Sequence, residues 1–346
     1  MTIACVSTLP DVLSSVNAVA CYKDALALLG TATTYAELPP VLSNLLLSLG
    51  VGVVCFLLQV ATGNYSHVDR LWSLVPVAYA WNYLLVGYSR GLGIDTRMSV
   101  LVGIITLWGL RLTYNFYRRG GYSWTGEDYR WEFVRSVVPN PVLWHLFSFS
   151  FIAMYQNILL SILTCPLHMV FNAWVAGNVS WSVWDSVLAL ALLGLLGLET
   201  TADQQQWTFQ EAKWAQLKAG KTLAQLPPPF NLGFCTTGLF AYSRHPNFFA
   251  EISIWWVVYS FSVVACGSHN WTLVGALLLH LLFQGSTRLT EYLTIQKYPK
   301  YATYQKLVSM LLPMATPVAN LHEKSTKNLH AASWTSVLFS VPSDSS

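Results

Sequence analysis

The run Tyr242-Ser243-Arg244-His245-Pro246-Asn247 and the later Glu251 open an apolar stretch that ends near Cys266. Arg244, His245, Asn247 and Glu251 therefore gather where a hydrophobic helix begins. Polar and ionised groups at such a depth are costly unless they bind or react. Pro246 lacks a backbone donor and suits a helix start. Asn247 and Glu251 stand four residues apart, on one helix face. An amide and a carboxylate on one face suit a carboxamide or the hydroxyls of a ribose. Arg244 and His245 beside them suit phosphate. A helix start with interfacial polar residues carries the same letters, so the cluster needs corroboration.

Four other clusters bear on it. Glu199 and Asp203 are again four apart, at the end of a Leu-rich run. Two carboxylates on one face repel, and a ribose, an amino group or an arginine between them relieves this. Two solvated carboxylates on a helix leaving the membrane are the plainer alternative. Arg288, Tyr292, Tyr304 and Lys306 close the last apolar segment. Basic groups among aromatics suit a pyrophosphate or 2′-phosphate and an adenine ring, and equally an interfacial anchor. In the stretch Asn64 to Trp72, His67 and Asp69 precede Arg70 and Trp72. This reads either as a helix cap or as a contact to a headgroup or substrate. Finally, Arg111 lies inside an apolar run and needs a partner. Tyr114 is three residues on and shares its face, and a buried tyrosine can polarise a ketone. The linked loop carries Gly126-Glu127-Asp128-Tyr129-Arg130.

The elements that must position these residues are membrane helices. The 346 residues are 54% hydrophobic and only 10% charged, against about 25% charged in a soluble domain. The 15 Trp and 17 Tyr suit membrane interfaces. The fold expected is an all-α, polytopic transmembrane helix bundle. Runs long enough to span fall at 41–62, 71–89, 98–117, 142–163, 181–198, 248–266 and 271–289, about seven spans. Residues 164–175 extend the fourth span or lie along the surface. Residues 10–30 read as interfacial and the tail from about Pro317 as polar and disordered. The domain boundaries are thus 1–40, 41–313 and 314–346. No basic n-region precedes an apolar stretch at the start.

Lys and Arg concentrate in 118–141, 199–247 and the C-terminal segment, which places all three on the cytosolic side. Arg90 and Arg97 fall in a loop on the opposite side and disagree with that topology. Sequons begin at Asn64, Asn178 and Asn270, too close to the membrane to weigh. A net charge of +3 carries no nucleic-acid footprint. The six Cys are scattered, without metal-ligand spacing. No dinucleotide fingerprint, P-loop or zinc signature occurs. A nucleotide would be held by a helix bundle and not by a doubly wound sheet.

Taken in order, the clusters resemble the steroid 5-alpha-reductase C-terminal-domain family, and most of all its multi-span membrane branch. The matching elements are Ser66 to Trp72, Trp108-Gly109-Leu110-Arg111-Leu112, Gly126 to Arg130 and Tyr242 to Glu251. The resemblance spans roughly residues 60–313. It implies an NADPH-dependent reductase of a carbon–carbon double bond conjugated to a carbonyl, in a sterol, terpenoid or other lipophilic substrate. It implies a helical bundle in the membrane of the endoplasmic reticulum, with NADPH held from the cytosolic side. Asn247 and Glu251 match the pair that cradles the cofactor, with Arg244, His245, Arg288, Tyr292, Tyr304 and Lys306 around it. Glu199 and Asp203 match an Asn and Asp pair, the first position departing. Ala250 stands where the family usually has Gly. Tyr114 and Asp69 are catalytic candidates by order along the chain. The alternatives are an S-adenosylmethionine-dependent lipid or prenyl methyltransferase and a non-catalytic lipid binder.

Overall fold

The computed structural model describes residues 37–314. The segment expected at 10–30 and nearly all of the tail expected at 314–346 lie outside the described residues. The elements are α1 (Pro40–Thr62), α2 (Val75–Ser89), α3 (Thr96–Arg118), α4 (Tyr129–Val137), α5 (Pro141–Phe147), a π-helical stretch (Ser148–Tyr155), α6 (Gln156–Leu163), α7 (Cys165–Val175), α8 (Val183–Lys218), α9 (Pro246–Cys266), α10 (Leu273–Lys297) and α11 (Tyr301–Leu307). Among the described residues there is no β-strand, only one isolated bridge between Ser243 and Ser309. The all-α reading holds.

α1 shows why the chain is a membrane protein. Its buried residues are Pro40, Asn44, Ser48, Gly52, Cys55 and Gln59, a stripe of small and polar side chains. Leu46, Leu47, Val54, Leu57 and Val60 stand exposed instead. In water this arrangement would be inside out. In lipid it is ordinary, because small residues let helices approach and polar ones bond across them. A Cβ on Gly52 would lie 2.8 Å from the Met154 sulfur, so the missing side chain admits the π-helical stretch. α3 starts on Asp95, whose carboxylate accepts from Met98 N at 2.6 Å, the usual N-cap device.

Among the described residues, five helical stretches are long and apolar enough to cross a membrane: 40–62, 96–118, 141–175, 183–218 and 246–266. The expected count of about seven stays approximate for physical reasons. The run 71–89 folds as α2, whose 15 residues fall short of the roughly 20 a straight span needs. The run 271–289 lies in α10, which polar residues from Gln284 to Glu291 dilute. The runs 142–163 and 164–175 join into one 35-residue stretch. In it Phe147, Phe151 and Tyr155 stack at successive centroid distances of 5.2 and 5.4 Å.

Among the described residues two compact units emerge, one of 37–197 with Glu251–Leu289, the other of Leu198–Ala250 with 290–314. The first has its main core around Tyr79, Tyr83, Met98, Trp108, Leu160, Phe171, Trp255 and Phe261. The second has small aromatic cores around Phe234, Tyr301 and Tyr304 and around Phe209, Cys235 and Phe240.

Candidate functional site

In the first unit, the stretch Asn64 to Trp72 and the stretch Gly120 to Trp131 clasp one another. Arg70 donates to the carbonyls of Gly121, Ser123, Trp124 and Gly126. Asn64 donates to Gly126 O at 2.9 Å, Tyr65 N to Glu127 Oε1 at 2.8 Å, and Asp128 N to Ser66 Oγ at 2.9 Å. Two motifs singled out separately thus form one structural device. Asp69, a catalytic candidate, accepts from Trp131 Nε1 at 3.1 Å. Burial raises its pKa against the opposing Arg130 charge. Arg130 is itself held by Asp128, at 2.8 and 2.9 Å, and donates to Ser286 at 2.7 Å.

His67 completes the clasp. Its Nδ1 lies 2.9 Å from the Arg70 guanidinium and its Nε2 2.9 Å from Thr62 Oγ1. A guanidinium only donates, so Nδ1 accepts and the ring hydrogen sits on Nε2. Burial first, and then the Arg70 charge, lower the His67 pKa. The ring is a neutral strut.

Glu251 is buried, and both its oxygens are taken by indoles: Trp108 Nε1 at 2.7 Å and Trp255 Nε1 at 3.0 Å. The two rings meet edge to face at 5.2 Å. A small apolar cleft borders them, lined by Ile104, Ile105, Leu192, Leu196, Ile254 and Val258. Tyr114 does not face such an interior. It is 60% exposed, and Arg118 lies over its ring at 5.5 Å. Arg288 is also exposed.

A cluster missed in the sequence lies where α1, α2, α6 and the π-helical stretch pack. Gln59, Tyr79 and Asn157 are wholly buried there, and Cys55 nearly so. Gln59 accepts from Ser148 Oγ at 2.6 Å and Asn157 donates to Ala153 O at 2.7 Å. Cys55 lies within interaction range of the Asn157 side chain and of Tyr79. Yet Gln59 Nε2, Tyr79 Oη and Asn157 Oδ1 have no partner. Buried polar atoms are nearly always bonded, and each orphan costs about 1–3 kcal/mol. The only trace in the sequence was a lone Gln and a lone Asn inside apolar runs. A π-helical stretch beside them is a common mark of a functional site.

In the second unit Glu291 is the hub. Arg244 grips it through Nε at 2.5 Å and Nη2 at 3.0 Å. His245 Nε2 meets it at 3.0 Å, Tyr301 donates at 3.1 Å and Gln305 at 2.8 Å. Arg244 also donates to the carbonyls of Gln305 and Val308. Its backbone N–H reaches Ser309 O at 2.9 Å. Arg244 therefore staples the C-terminal segment to the start of α9, with four of its five donors committed. Tyr304 is buried and donates to Phe240 O, whereas Tyr292 and Lys306 are exposed. Asn247 donates to Asp203 Oδ1 at 3.2 Å. Glu199, one turn before Asp203, is buried. The structure thus brings Asp203 to Asn247 and Arg244 to His245. The residues holding the latter pair, Glu291 and Gln305, were outside the expected set.

Residues 55–308 match DUF1295, described as a protein of unknown function. The chain belongs to that family. An uncharacterized protein of Schizosaccharomyces pombe is 39% identical over 294 residues, covering 82% of this chain and 83% of that relative. No solved structure matches the chain.

Proposed function

We propose that the protein is a membrane-embedded, NADPH-dependent reductase of a conjugated carbon–carbon double bond in a lipophilic substrate. The observation that carries this reading is the trio of unpartnered polar atoms buried within the first unit's helices, Gln59 Nε2, Tyr79 Oη and Asn157 Oδ1. Two of them are donors. A carbonyl oxygen on an otherwise apolar molecule satisfies Tyr79 and Gln59 at once, and polarising it is what reduction of an enone requires. Tyr79 takes the role expected of Tyr114. Its hydroxyl donates to the substrate oxygen, Gln59 adds a second donor, and the apolar surroundings exclude water.

The second unit supports the cofactor. The Asp203–Asn247 pair, with Glu199 one turn earlier, offers the donors and acceptors a ribose or a carboxamide needs. Arg244 fits a phosphate poorly, since Glu291 and two carbonyls hold it. NADPH held by the Asp203–Asn247 pair would supply a hydride. The segments 118–141 and 199–247 and the C-terminus are assigned to the cytosolic side, in the endoplasmic reticulum.

A thermal-shift titration of the detergent-purified protein tests the cofactor. NADPH is expected to stabilise it and S-adenosylmethionine is not. At about 100 times its dissociation constant a ligand adds about 2.7 kcal/mol. Asn247→Ala and Asp203→Ala should weaken NADPH at least tenfold. Stabilisation by S-adenosylmethionine alone overturns the reading in favour of a methyltransferase.

A further inference from the structure

Lys213 is a buried lysine that the proposed reaction does not use. It lies on α8, 2% exposed, about 15 residues past the Leu-rich run and so beyond the membrane-crossing part, at about 1.5 Å per residue. Its Nζ donates to Gly233 O at 2.8 Å. Three rings surround the ammonium: Phe209 at 5.8 Å, Trp214 at 5.4 Å and Tyr298 at 5.5 Å to the centroid. Lys297, the last residue of α10, stands over two of the same rings, Trp214 at 5.8 Å and Tyr298 at 5.5 Å. All these residues belong to the second unit.

The cage is built and not a chance contact. Gly233 has φ +86°, and a Cβ there would strike the Tyr298 ring at 2.3 Å. Only glycine lets that ring close on the carbonyl that Lys213 holds. Phe234 also packs on Tyr298, centroids 6.2 Å apart. Phe209 stacks on Phe230 at 5.2 Å.

The charge is out of balance. Two ammonium groups share two rings, and among the described residues no ion pair joins either to a carboxylate. Cation–π attraction is modest, while burying one cation beside another is strongly opposed. The helix C-terminus accounts for Lys297 but not for Lys213, which lies five residues before the end of α8. A dianionic group at the rim balances both charges. Lys297 and Trp214 are exposed and form the open side.

We propose that Lys213 and Lys297, with the Trp214 and Tyr298 rings, form a binding site for a phosphate monoester. Two sources carry that group: a nucleotide phosphate and the headgroup of an anionic lipid. The site stands independently of the reductase reading.

Calorimetric titration of the purified full chain with adenosine 2′,5′-bisphosphate, and separately with phosphatidate in mixed micelles, distinguishes the sources. At least one probe should bind, and more weakly as salt rises. Lys297→Met should weaken it about tenfold, and Lys213→Met at least as much. Phosphatidylcholine micelles should give no heat. Preference for the bisphosphate assigns the site to a nucleotide, and preference for phosphatidate assigns it to lipid. Should Lys213→Met not fold, Lys297→Met, at an exposed helix end, decides alone. Binding of neither probe, or binding unchanged in Lys297→Met, overturns the proposal.

Discussion

Glu291 and His67 are titratable residues whose chemistry is fixed by their neighbours, distant in sequence for Glu291 and local for His67. Burial alone would raise Glu291. Bonds from His245, Arg244 and Gln305 outweigh it and hold the carboxyl down to about 2. A folded value below the ordinary 4.5 means stability that is complete above that pH and lost as pH falls toward about 2. Glu291→Ala leaves the Arg244 guanidinium uncompensated, and losing one partner of a buried pair costs about 3–5 kcal/mol. Thermal unfolding in detergent should register that loss. A midpoint equal to the parent's would show that the staple carries no stability. His67 behaves in the opposite charge sense. Its folded pKa lies below the ordinary 6.5, so the unfolded chain takes up the proton first. The clasp is fully stable above about pH 6.5 and weakens as pH falls below it. Corrected for its intrinsic pH dependence, amide exchange of Asn64 to Trp72 should quicken between pH 7 and 5.5, and His67→Gln should flatten that dependence. Flat exchange in the parent would remove His67 as a neutral strut.

Among the elements, helix contacts depend on where side chains are missing. A Cβ on Gly275 of α10 would lie 2.7 Å from the carbonyl oxygen of Ile162 in α6. Backbone cannot swing aside as a side chain can. Gly275→Ala should therefore cost about 1–3 kcal/mol, as overpacking does. Gly103 on α3 has nothing within 4 Å of the same position. Gly103→Ala should be neutral or stabilise by up to about 1 kcal/mol from helix propensity. Comparing the two midpoints tests the packing, and equal effects would contradict it. The helices themselves were legible in the sequence because apolar runs of span length have few other uses. Their ends and number were less so. α2 is a short, half-buried helix whose composition matches a span. The π-helical stretch leaves no mark in composition. The Arg244–Glu291 staple was illegible because its partners are 47 residues apart and linked only by the fold. Likewise, Tyr114 shared a face with Arg111 in the sequence, but that face is exposed at Tyr114.

At the level of the whole molecule, Arg97 was, with Arg90, one of two discordant cations in the charge pattern. It is buried against Asp185, at 2.6 and 2.8 Å. A paired arginine in a helix's first turn is a weak topological signal, which removes much of the conflict. The sequons carry no weight either, since Asn64, Asn178 and Asn270 all donate within the fold. An epitope at the chain end should then be protease-accessible in sealed microsomes, and protection would reverse the proposed orientation.

The proposed reaction is tested most directly by tracing the hydride. The purified protein would be incubated with a membrane lipid extract and NADPH deuterated at C4, and the lipids analysed by mass spectrometry. A lipid gaining one deuterium and one further hydrogen is expected. Tyr79→Phe should reduce that gain by about 10²–10⁴-fold, the usual contribution of a positioned acid, with NADPH binding intact. No deuterium in any lipid, while NADPH binds normally, would contradict the reductase reading.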